Sequence, residues 1–158
     1  MALEIERKFL VERDSWREAN GGSRHILQAY LALEDGTSVR VRIYDGRHAR
    51  LTVKFDISAM ARNEFEYPIP IADAEQMVAA SKGRLVEKTR HTITSDGFVW
   101  EVDAYEGALA GLVIAEVEMQ SEDDAPVLPD WVGREVTGDS SWSNAMLAKR
   151  GLPEEARP

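Results

Sequence analysis

The 158-residue chain contains no cysteine, which excludes disulfide bonds, thiol catalysis and thiolate metal sites. Positive charge is also scarce: 19 Lys and Arg against 28 Asp and Glu give a formal net charge of −9. Nucleic acids and membrane surfaces both attract positively charged proteins, so this deficit argues against either partner. No apolar run approaches the roughly 20 residues that a transmembrane helix needs. The first residues, MALEIERKFLV, carry charges that a signal peptide lacks. We therefore expect a cytosolic protein.

What is present is the composition of an ordinary globular protein, with 44% hydrophobic and 30% charged residues. There is no internal repeat and no linker, so residues 1–158 are interpreted as a single domain. Cap and stop residues predict three helices: one from Asp14 to Ala19, one over 74–82 with Asp73 as its cap, and one near Ser143–Arg150.

Most of the remaining chain alternates with a period of two, which is typical of β-strands. In seven segments the alternation places apolar residues on one face and charges on the other. The charged positions are Glu4, Glu6 and Lys8; Arg40 and Arg42; Lys54; Arg62, Glu64 and Glu66; Lys88 and Arg90; Glu101 and Asp103; and Glu116 and Glu118.

Two arrangements fit this pattern. In the first, the charged faces form the solvated outside of a sheet, where each ion pair contributes about 0–1 kcal/mol. In the second, the strands close into a barrel whose charged faces line a central cavity. A lumen with both signs of charge suits a polyanion bridged to the carboxylates by divalent cations, and oxygen ligands favour Mg²⁺ or Mn²⁺ over Zn²⁺. The alternation alone leaves both arrangements open.

An ordered set of short motifs decides between them. The N-terminal E-x-E-x-K of residues 4–8 resembles the signature of the CYTH superfamily, the triphosphate tunnel metalloenzymes. Matches in the same order as in that family run from residue 4 to about residue 149. They are Gln28-Ala29-Tyr30-Leu31, R-x-R at 40–42, Thr52-Val53-Lys54, R-x-E-x-E at 62–66, K-x-R at 88–90, the acids Glu101 and Asp103, E-x-E at 116–118, and Glu135-Val136-Thr137 followed by Ser143-Asn144.

The resemblance implies a mainly β fold: a closed antiparallel eight-stranded β-barrel tunnel with a charged lumen and helices outside. It implies binding of a triphosphate with Mg²⁺ or Mn²⁺. By position, the implied metal ligands are Glu4, Glu6, Glu116 and Glu118, with Glu101 and Asp103 as further acids. The implied triphosphate cradle is Lys8, Arg40, Arg42, Lys54, Arg62, Lys88 and Arg90. Ala29, in place of a usual Gly, and Trp142, in place of a common Tyr, depart from the family pattern away from these charges.

The implied reaction is phosphoryl transfer to water, in which positioning and cationic charge do most of the work. Lys8, Tyr30, Glu64 and Glu66 are the candidate catalytic residues. Tyr30 is expected to face the lumen with Gln28, as a proton acceptor or as a structural hydrogen bond. Glu64 or Glu66 is the alternative acceptor.

Three functions compete at this stage. The first is hydrolysis of inorganic triphosphate, which the short chain favours. The second is an enzyme of the same superfamily that acts on an organic triphosphate: a nucleoside or thiamine triphosphatase, or an adenylate cyclase. The third is a non-catalytic module that binds polyphosphate or nucleotide. Each of these three functions is compatible with a homodimer.

Overall fold

The computed structural model describes residues 3–19, 21–83 and 85–157. These residues form nine β-strands and two α-helices. The elements are β1 (Leu3–Val11), β2 (Ser23–Glu34), β3 (Thr37–Tyr44), β4 (His48–Asp56), β5 (Ala61–Ile69), α1 (Ile71–Ala80), β6 (Leu85–Ser95), β7 (Phe98–Tyr105), β8 (Val113–Met119), β9 (Val132–Glu135) and α2 (Asn144–Arg150). Short 3-10 helices lie at Asp14–Glu18, Gly107–Leu109, Ser140–Trp142 and Glu154–Ala156. Within these ranges, neither α-helix has the length and hydrophobicity that a membrane crossing requires.

Eight of the strands close into an antiparallel barrel. Their hydrogen-bonded order is β5-β4-β3-β2-β6-β7-β8-β1, and β1 pairs again with β5 to complete the ring. The closing contact is short, joining residues 3–5 to residues 61–63. β9 continues the same edge of β1, with Phe9 opposite Glu135. The predicted closed eight-stranded barrel is therefore confirmed, with one extra strand outside the ring.

The apolar side of the barrel wall faces outward, where helices and loops cover it. Val41 of β3 packs against Ala74 of α1. Elsewhere the buried Trp100 of β7 packs with Trp16 and Trp131, the latter with ring centroids 5.5 Å apart. Side chains alternate across a strand, so burying these residues outside the wall turns their charged neighbours inward.

At one end of the barrel the inward side changes from charged to apolar. Leu10 of β1 lies opposite Ile114 of β8. These are the next inward positions beyond Lys8 and Glu116, the last charged residues on the lumen face of the two strands. Ile114 packs with Trp142 and with Leu147 of α2, and Leu10 packs against the same cluster. This apolar plug closes one end of the lumen and confines its polar part to the other end.

The last helix begins and ends as predicted. The Ser143 hydroxyl oxygen accepts a hydrogen bond from the Met146 backbone N–H at 3.1 Å, which caps α2. Gly151, which follows α2, has φ of 79°, a conformation that suits glycine.

The boundaries of the other two predicted helices were wrong. α1 begins after Pro70, which precedes its first turn in an extended conformation, and proline is favourable at such a helix start. Asp73 therefore lies within the first turn rather than at the cap, where its charge favours the positive end of the helix. The first helix is a 3-10 helix, Asp14–Glu18, preceded by Arg13.

Candidate functional site

The polar part of the lumen is a cavity of about 740 Å³. Inward side chains of the barrel strands form most of its wall, and residues of the segment 140–150 complete one side. The predicted site residues that line it are Glu4, Glu6, Lys8, Tyr30, Arg40, Arg42, Lys54, Arg62, Glu64, Glu66, Arg90, Glu101, Glu116 and Glu118. Charged side chains from separate strands therefore converge on one space inside the barrel.

Carboxylates from two adjacent strands form one side of the cavity. Glu6 lies opposite Glu118, and Glu116 lies opposite Lys8, in the register of β1 and β8. Burial and the adjacent Glu116, to which it is hydrogen-bonded, raise the pKa of Glu6 well above its ordinary value. Burial opposes ionisation of Glu116, yet Lys8 and the hydrogen bond with Glu6 hold its pKa well below the ordinary value. Two adjacent buried carboxyl groups therefore resist ionising together.

Glu4 extends this acidic side toward β5. Its Oε2 is buried and has no hydrogen-bond partner among the described residues. Lys54 Nζ lies 3.5 Å away, within ion-pair range. Burial acts to raise the pKa of Glu4, but Lys54 and the hydrogen bond with Glu6 leave the pKa lowered. A buried carboxylate oxygen without a donor is unfavourable unless a cation contacts it.

The opposite side of the cavity is basic. Arg42 has neutral partners: its Nε donates to Gln28 Oε1 at 2.9 Å and its Nη1 donates to the Tyr44 hydroxyl at 3.2 Å. Arg40 is 5% exposed, lies 3.5 Å from a Glu64 oxygen, and has a buried Nε without a partner in the described chain. Burial lowers the pKa of Arg40, and Arg42 adds to that effect. These guanidinium groups are not saturated by carboxylates, so an anion in the cavity would stabilise them.

Two further cations bridge the basic and acidic sides with loose contacts. Lys54 Nζ lies 3.4 Å from Glu64 Oε2, and Arg62 Nη1 lies 3.5 Å from Glu6 Oε1. Close charged hydrogen bonds are shorter, about 2.7–2.9 Å. Burial lowers the pKa of Lys54 to about 8, although Glu4 opposes the shift. Both cations can therefore exchange their present partners for a ligand at little cost.

The two carboxylates predicted as alternative proton acceptors differ in their surroundings. Within the described part of the chain, Glu64 has only the long contacts to Arg40 and Lys54. Glu66 accepts hydrogen bonds of 3.1 Å from Arg50 Nη1 and from the Thr52 hydroxyl. Glu64 is therefore the less constrained of the two.

Tyr30 faces the lumen, as predicted, and is 3% exposed. Its hydroxyl oxygen accepts a hydrogen bond from Gln28 Nε2 at 2.9 Å. The same Gln28 accepts from Arg42 Nε, so Arg42, Gln28 and Tyr30 form a chain of donors and acceptors along the wall. The hydroxyl proton of Tyr30 remains available for an acceptor in the cavity.

Two predicted site residues do not line the cavity. Lys88 is 0% exposed and Asp103 is 1% exposed. Arg90 Nε and Nη2 donate to the two Asp103 oxygens at 2.8 and 2.9 Å, and Lys88 Nζ donates to Oδ2 at 2.6 Å. The register explains their depth, because Lys88 pairs with Tyr105 and Asp103 with Ile114, both residues of the apolar plug. The sequence placed Lys88 in the phosphate cradle and Asp103 among the further acids of the metal site, whereas the structure buries both behind the cavity wall.

The pKa shifts of these buried groups agree with the pairing of their charges. Burial disfavours the charged form of Asp103, but Arg90 and Lys88 hold its pKa well below the ordinary value. Burial lowers the pKa of Lys88, and Asp103 opposes that shift. Arg90 also donates from Nη1 to Glu101 Oε2 at 3.0 Å, and both residues line the cavity. Burial raises the pKa of Glu101, against the pull of Arg90.

The cavity wall also contains residues that sequence reasoning did not single out, among them Arg24 and Tyr44. The Arg24 guanidinium carbon lies 4.2 Å from the centre of the Tyr44 ring. Strand parity was the available signal, because Arg24 shares a face with Gln28, and Tyr44 shares one with Arg42.

One tight group of metal-type ligand atoms lies outside the cavity. Among the described residues, only His25, Glu87 and Glu106 bring three such atoms within 4.8 Å of one another. His25 Nε2 lies 2.7 Å from Glu87 and 3.6 Å from Glu106. These exposed side chains satisfy one another as ion pairs on the outer face of β2 and β6. The lumen carboxylates are spaced more widely than this group.

A closed barrel with this charged lumen defines a class of protein, and comparison with known proteins identifies it. The model of the CYTH domain family matches residues 2–146. The chain therefore belongs to the CYTH family.

Its relatives within that family are similar over almost their whole length. An inorganic triphosphatase of Acetivibrio thermocellus is 39% identical over 150 residues, covering 94% of this chain and 95% of the relative. An inorganic triphosphatase of Nitrosomonas europaea is 36% identical over 149 residues, covering 92% and 96%. The crystal structure of the inorganic triphosphatase NE1496 superposes with a TM-score of 0.68 at 34% identity, covering 94% of this chain and 95% of that one.

Proposed function

We propose that this protein hydrolyses inorganic triphosphate to pyrophosphate and phosphate inside its barrel, with Mg²⁺ or Mn²⁺. The near full-length similarity to two inorganic triphosphatases supports the reaction and the substrate. The observation that carries the proposal is the division of one cavity into a basic side with unsaturated guanidinium groups and an acidic side whose buried carboxyl groups oppose each other's ionisation. A polyphosphate and its cation would complement both sides at once.

The donors of the acidic side fit a hard divalent cation. Glu4, Glu6, Glu116 and Glu118 offer only carboxylate oxygens, which Mg²⁺ and Mn²⁺ prefer. Glu4 Oε2 accepts no hydrogen bond among the described residues, and Glu116 opposes the ionisation of Glu6, so added positive charge would stabilise both groups. When bound, the cation would supply charge that offsets the phosphate oxygens. Their spacing requires these carboxylates to approach one another around it.

The basic side would hold the phosphate chain. Arg42 and Arg40 present buried guanidinium groups without tight carboxylate partners. Among the described residues, the hydrogen bonding of Lys8 Nζ is limited to a 3.5 Å contact with the Trp142 carbonyl oxygen. Lys54, Arg62 and Arg90 would add charge around them. We assign Lys88 and Asp103 to holding Arg90 in place rather than to contacting substrate, because both are buried beneath the cavity wall.

Attack by water requires a group that accepts its proton. We propose Glu64, because a carboxylate is ionised at neutral pH whereas a phenol ordinarily is not. Its two contacts, to Arg40 and Lys54, are long enough to leave its oxygens available. Tyr30 would donate its hydroxyl proton to substrate or water while Gln28 fixes its position.

Phosphate release from a substrate panel tests the proposal. Tripolyphosphate, ATP and thiamine triphosphate are each supplied with Mg²⁺, with Mn²⁺ or with EDTA. We expect rapid release from tripolyphosphate with either metal, much slower release from the organic triphosphates, and none with EDTA. Cyclic AMP from ATP would instead support a cyclase. Tight binding of tripolyphosphate without release would support a binding module.

A further inference from the structure

Asn144, the first residue of α2, lies where the helix meets the barrel wall. Its Oδ1 accepts a hydrogen bond from the Tyr105 hydroxyl at 2.6 Å and one from Lys88 Nζ at 3.4 Å. It is half-buried and is one of the residues that line the cavity. Neither partner lines that cavity. The side chain therefore connects the buried wall to the ligand space.

These contacts determine which way the amide group points. A lysine ammonium has donors and no acceptor, so the amide atom facing Lys88 is the oxygen. Lys88 is paired with Asp103 at 2.6 Å, which opposes the loss of its proton. The Nδ2 atom is then directed away from both partners. In the part of the chain that the structure describes, no group lies within hydrogen-bonding distance of Nδ2.

The same network ties Asn144 to a cation of the cavity. Lys88 bridges Asn144 and Asp103, and Asp103 holds the Arg90 guanidinium through two hydrogen bonds. The amide of α2 and the Arg90 guanidinium are thus fixed relative to each other by buried groups. Donors fixed before a ligand arrives bind it at a smaller entropic cost.

We propose that Asn144 is a substrate-binding residue whose Nδ2 donates a hydrogen bond to a phosphate oxygen of the polyphosphate chain. The inference rests on the proposed function and deepens it, adding a neutral donor from α2 to the cationic groups of the strands. The contribution of the Asn144 donor is geometric. A donor of fixed direction selects the position of the phosphate oxygen that it binds, whereas a flexible lysine does not.

Asn144→Asp separates binding from a purely structural role. The aspartate keeps an oxygen for Tyr105 and Lys88 but replaces the donor with a second oxygen. We expect a KM for tripolyphosphate about 100-fold higher, since a donor to a charged group is lost and repulsion is added. Asn144→Ala should raise KM by about 10-fold. In both variants kcat should change by less than about 3-fold, as expected for loss of uniform binding.

Ser140→Asp is the matched control, because it places a similar charge in the same cavity wall at an exposed residue outside the network of Asn144, Tyr105 and Lys88. It should raise KM by no more than about 3-fold. Circular dichroism melts check that Asn144→Asp keeps its fold. An Asn144→Asp variant with the KM of wild type, or one no weaker than Ser140→Asp, would overturn the inference and leave Asn144 a structural residue.

Calorimetric titration of tripolyphosphate in EDTA separates this inference from the proposed function. Wild type that binds but never hydrolyses would contradict the proposed function, and the ranking of the variants by affinity would still support or overturn the role of Asn144. Wild type that neither binds nor hydrolyses would overturn both.

Discussion

Two clusters of buried charge lie in the same barrel wall and differ in how they are compensated. At the first, Asp103 accepts three hydrogen bonds from Arg90 and Lys88, so every charge has an opposite partner. At the second, Glu6 is hydrogen-bonded to Glu116, a group of its own sign, and burial together with Glu116 raises the pKa of Glu6 well above its ordinary value. The charges of the first cluster are closely paired within the protein, whereas a cation from outside would stabilise the second.

The two clusters also differ in their place along the lumen. The compensated one adjoins the apolar plug, where water is excluded and an unpaired charge would be most costly. The uncompensated one lines the cavity, where a ligand can reach it. Alternating charge on a strand therefore does not by itself identify a binding residue, and the pairing state of each charge is what separates scaffold from site.

Removing the centre of the compensated cluster should produce the largest effect. Asp103→Asn leaves Lys88 buried without its counter-charge and Arg90 paired with Glu101 alone among the described residues, which we expect to cost about 3–5 kcal/mol of unfolding free energy. Urea unfolding at pH 7 measures it, with Asp123→Asn on an exposed loop as the control. A loss below about 1 kcal/mol would show that the cluster does not stabilise the barrel.

The same type of change in the uncompensated cluster should have the opposite effect on stability. Glu6→Gln replaces a carboxyl group whose ionisation burial and Glu116 oppose, so at pH 7 the metal-free protein should gain about 1 kcal/mol, the equivalent of roughly one pKa unit. Metal-dependent hydrolysis should fall at least about 100-fold, because a proposed ligand is lost. Urea unfolding and phosphate release measure the two effects, with Glu75→Gln on α1 as the control. Normal hydrolysis at low metal concentration would remove Glu6 from the ligand set.

Much of the fold could be predicted from strand alternation, and the reason is visible in the exceptions. Seven strands carry charge on the lumen face, but β2 does not follow the pattern, because its inward side includes Ile26, Gln28 and Tyr30. Tyr30 was recovered through a motif, and Arg24 on the same strand was missed. Strand alternation identifies a lumen face that is uniformly charged. It does not identify a lumen face that combines polar, aromatic and apolar residues.

The depth of each inward residue along the lumen could not be predicted. Lys88 and Arg90 form one K-x-R motif and share a strand face, yet only Arg90 lines the cavity. The difference depends on the stagger between strands and on where Trp142 and α2 close the barrel. Both are long-range features that a local pattern does not contain, so the position of Lys88 and Asp103 behind the cavity wall could not be predicted.

Arg42 tests whether cations with neutral partners bind substrate more strongly than paired ones. Its partners are Gln28 and Tyr44, so its charge is available to an anion. Arg42→Ala should raise the KM for tripolyphosphate by about 10-fold, the value of a lost charged hydrogen bond. Arg50→Ala, which removes an exposed cation already paired with Glu66, is the control and should change KM by less than about 3-fold. Equal effects would show that pairing does not decide which cations bind.

The proton held by Glu6 predicts a pH dependence of stability in the metal-free protein. Its folded pKa is raised above the unfolded value of about 4.5, so above that pH the folded chain binds more protons than the unfolded chain. Stability from this group is then lost as pH rises toward the folded pKa. Between pH 5 and 7.5, wild type should lose about 1 kcal/mol relative to Glu6→Gln. Parallel urea-unfolding curves at each pH measure it, and a constant difference would contradict the assignment.

The smallest expected effect comes from an exposed counterpart of the Arg90–Asp103 pair. Arg7 donates from Nε and Nη2 to the two oxygens of Glu135 at 2.9 and 2.8 Å, the same two-bond geometry as in the buried pair. These side chains are 23% and 38% exposed. A double-mutant cycle of Arg7→Ala and Glu135→Ala should give a coupling of about 0.5 kcal/mol that falls further in 1 M NaCl, because solvent and salt screen an exposed pair. A coupling above about 2 kcal/mol would mean that two-bond geometry, rather than burial and pairing, sets the strength of such clusters in this barrel.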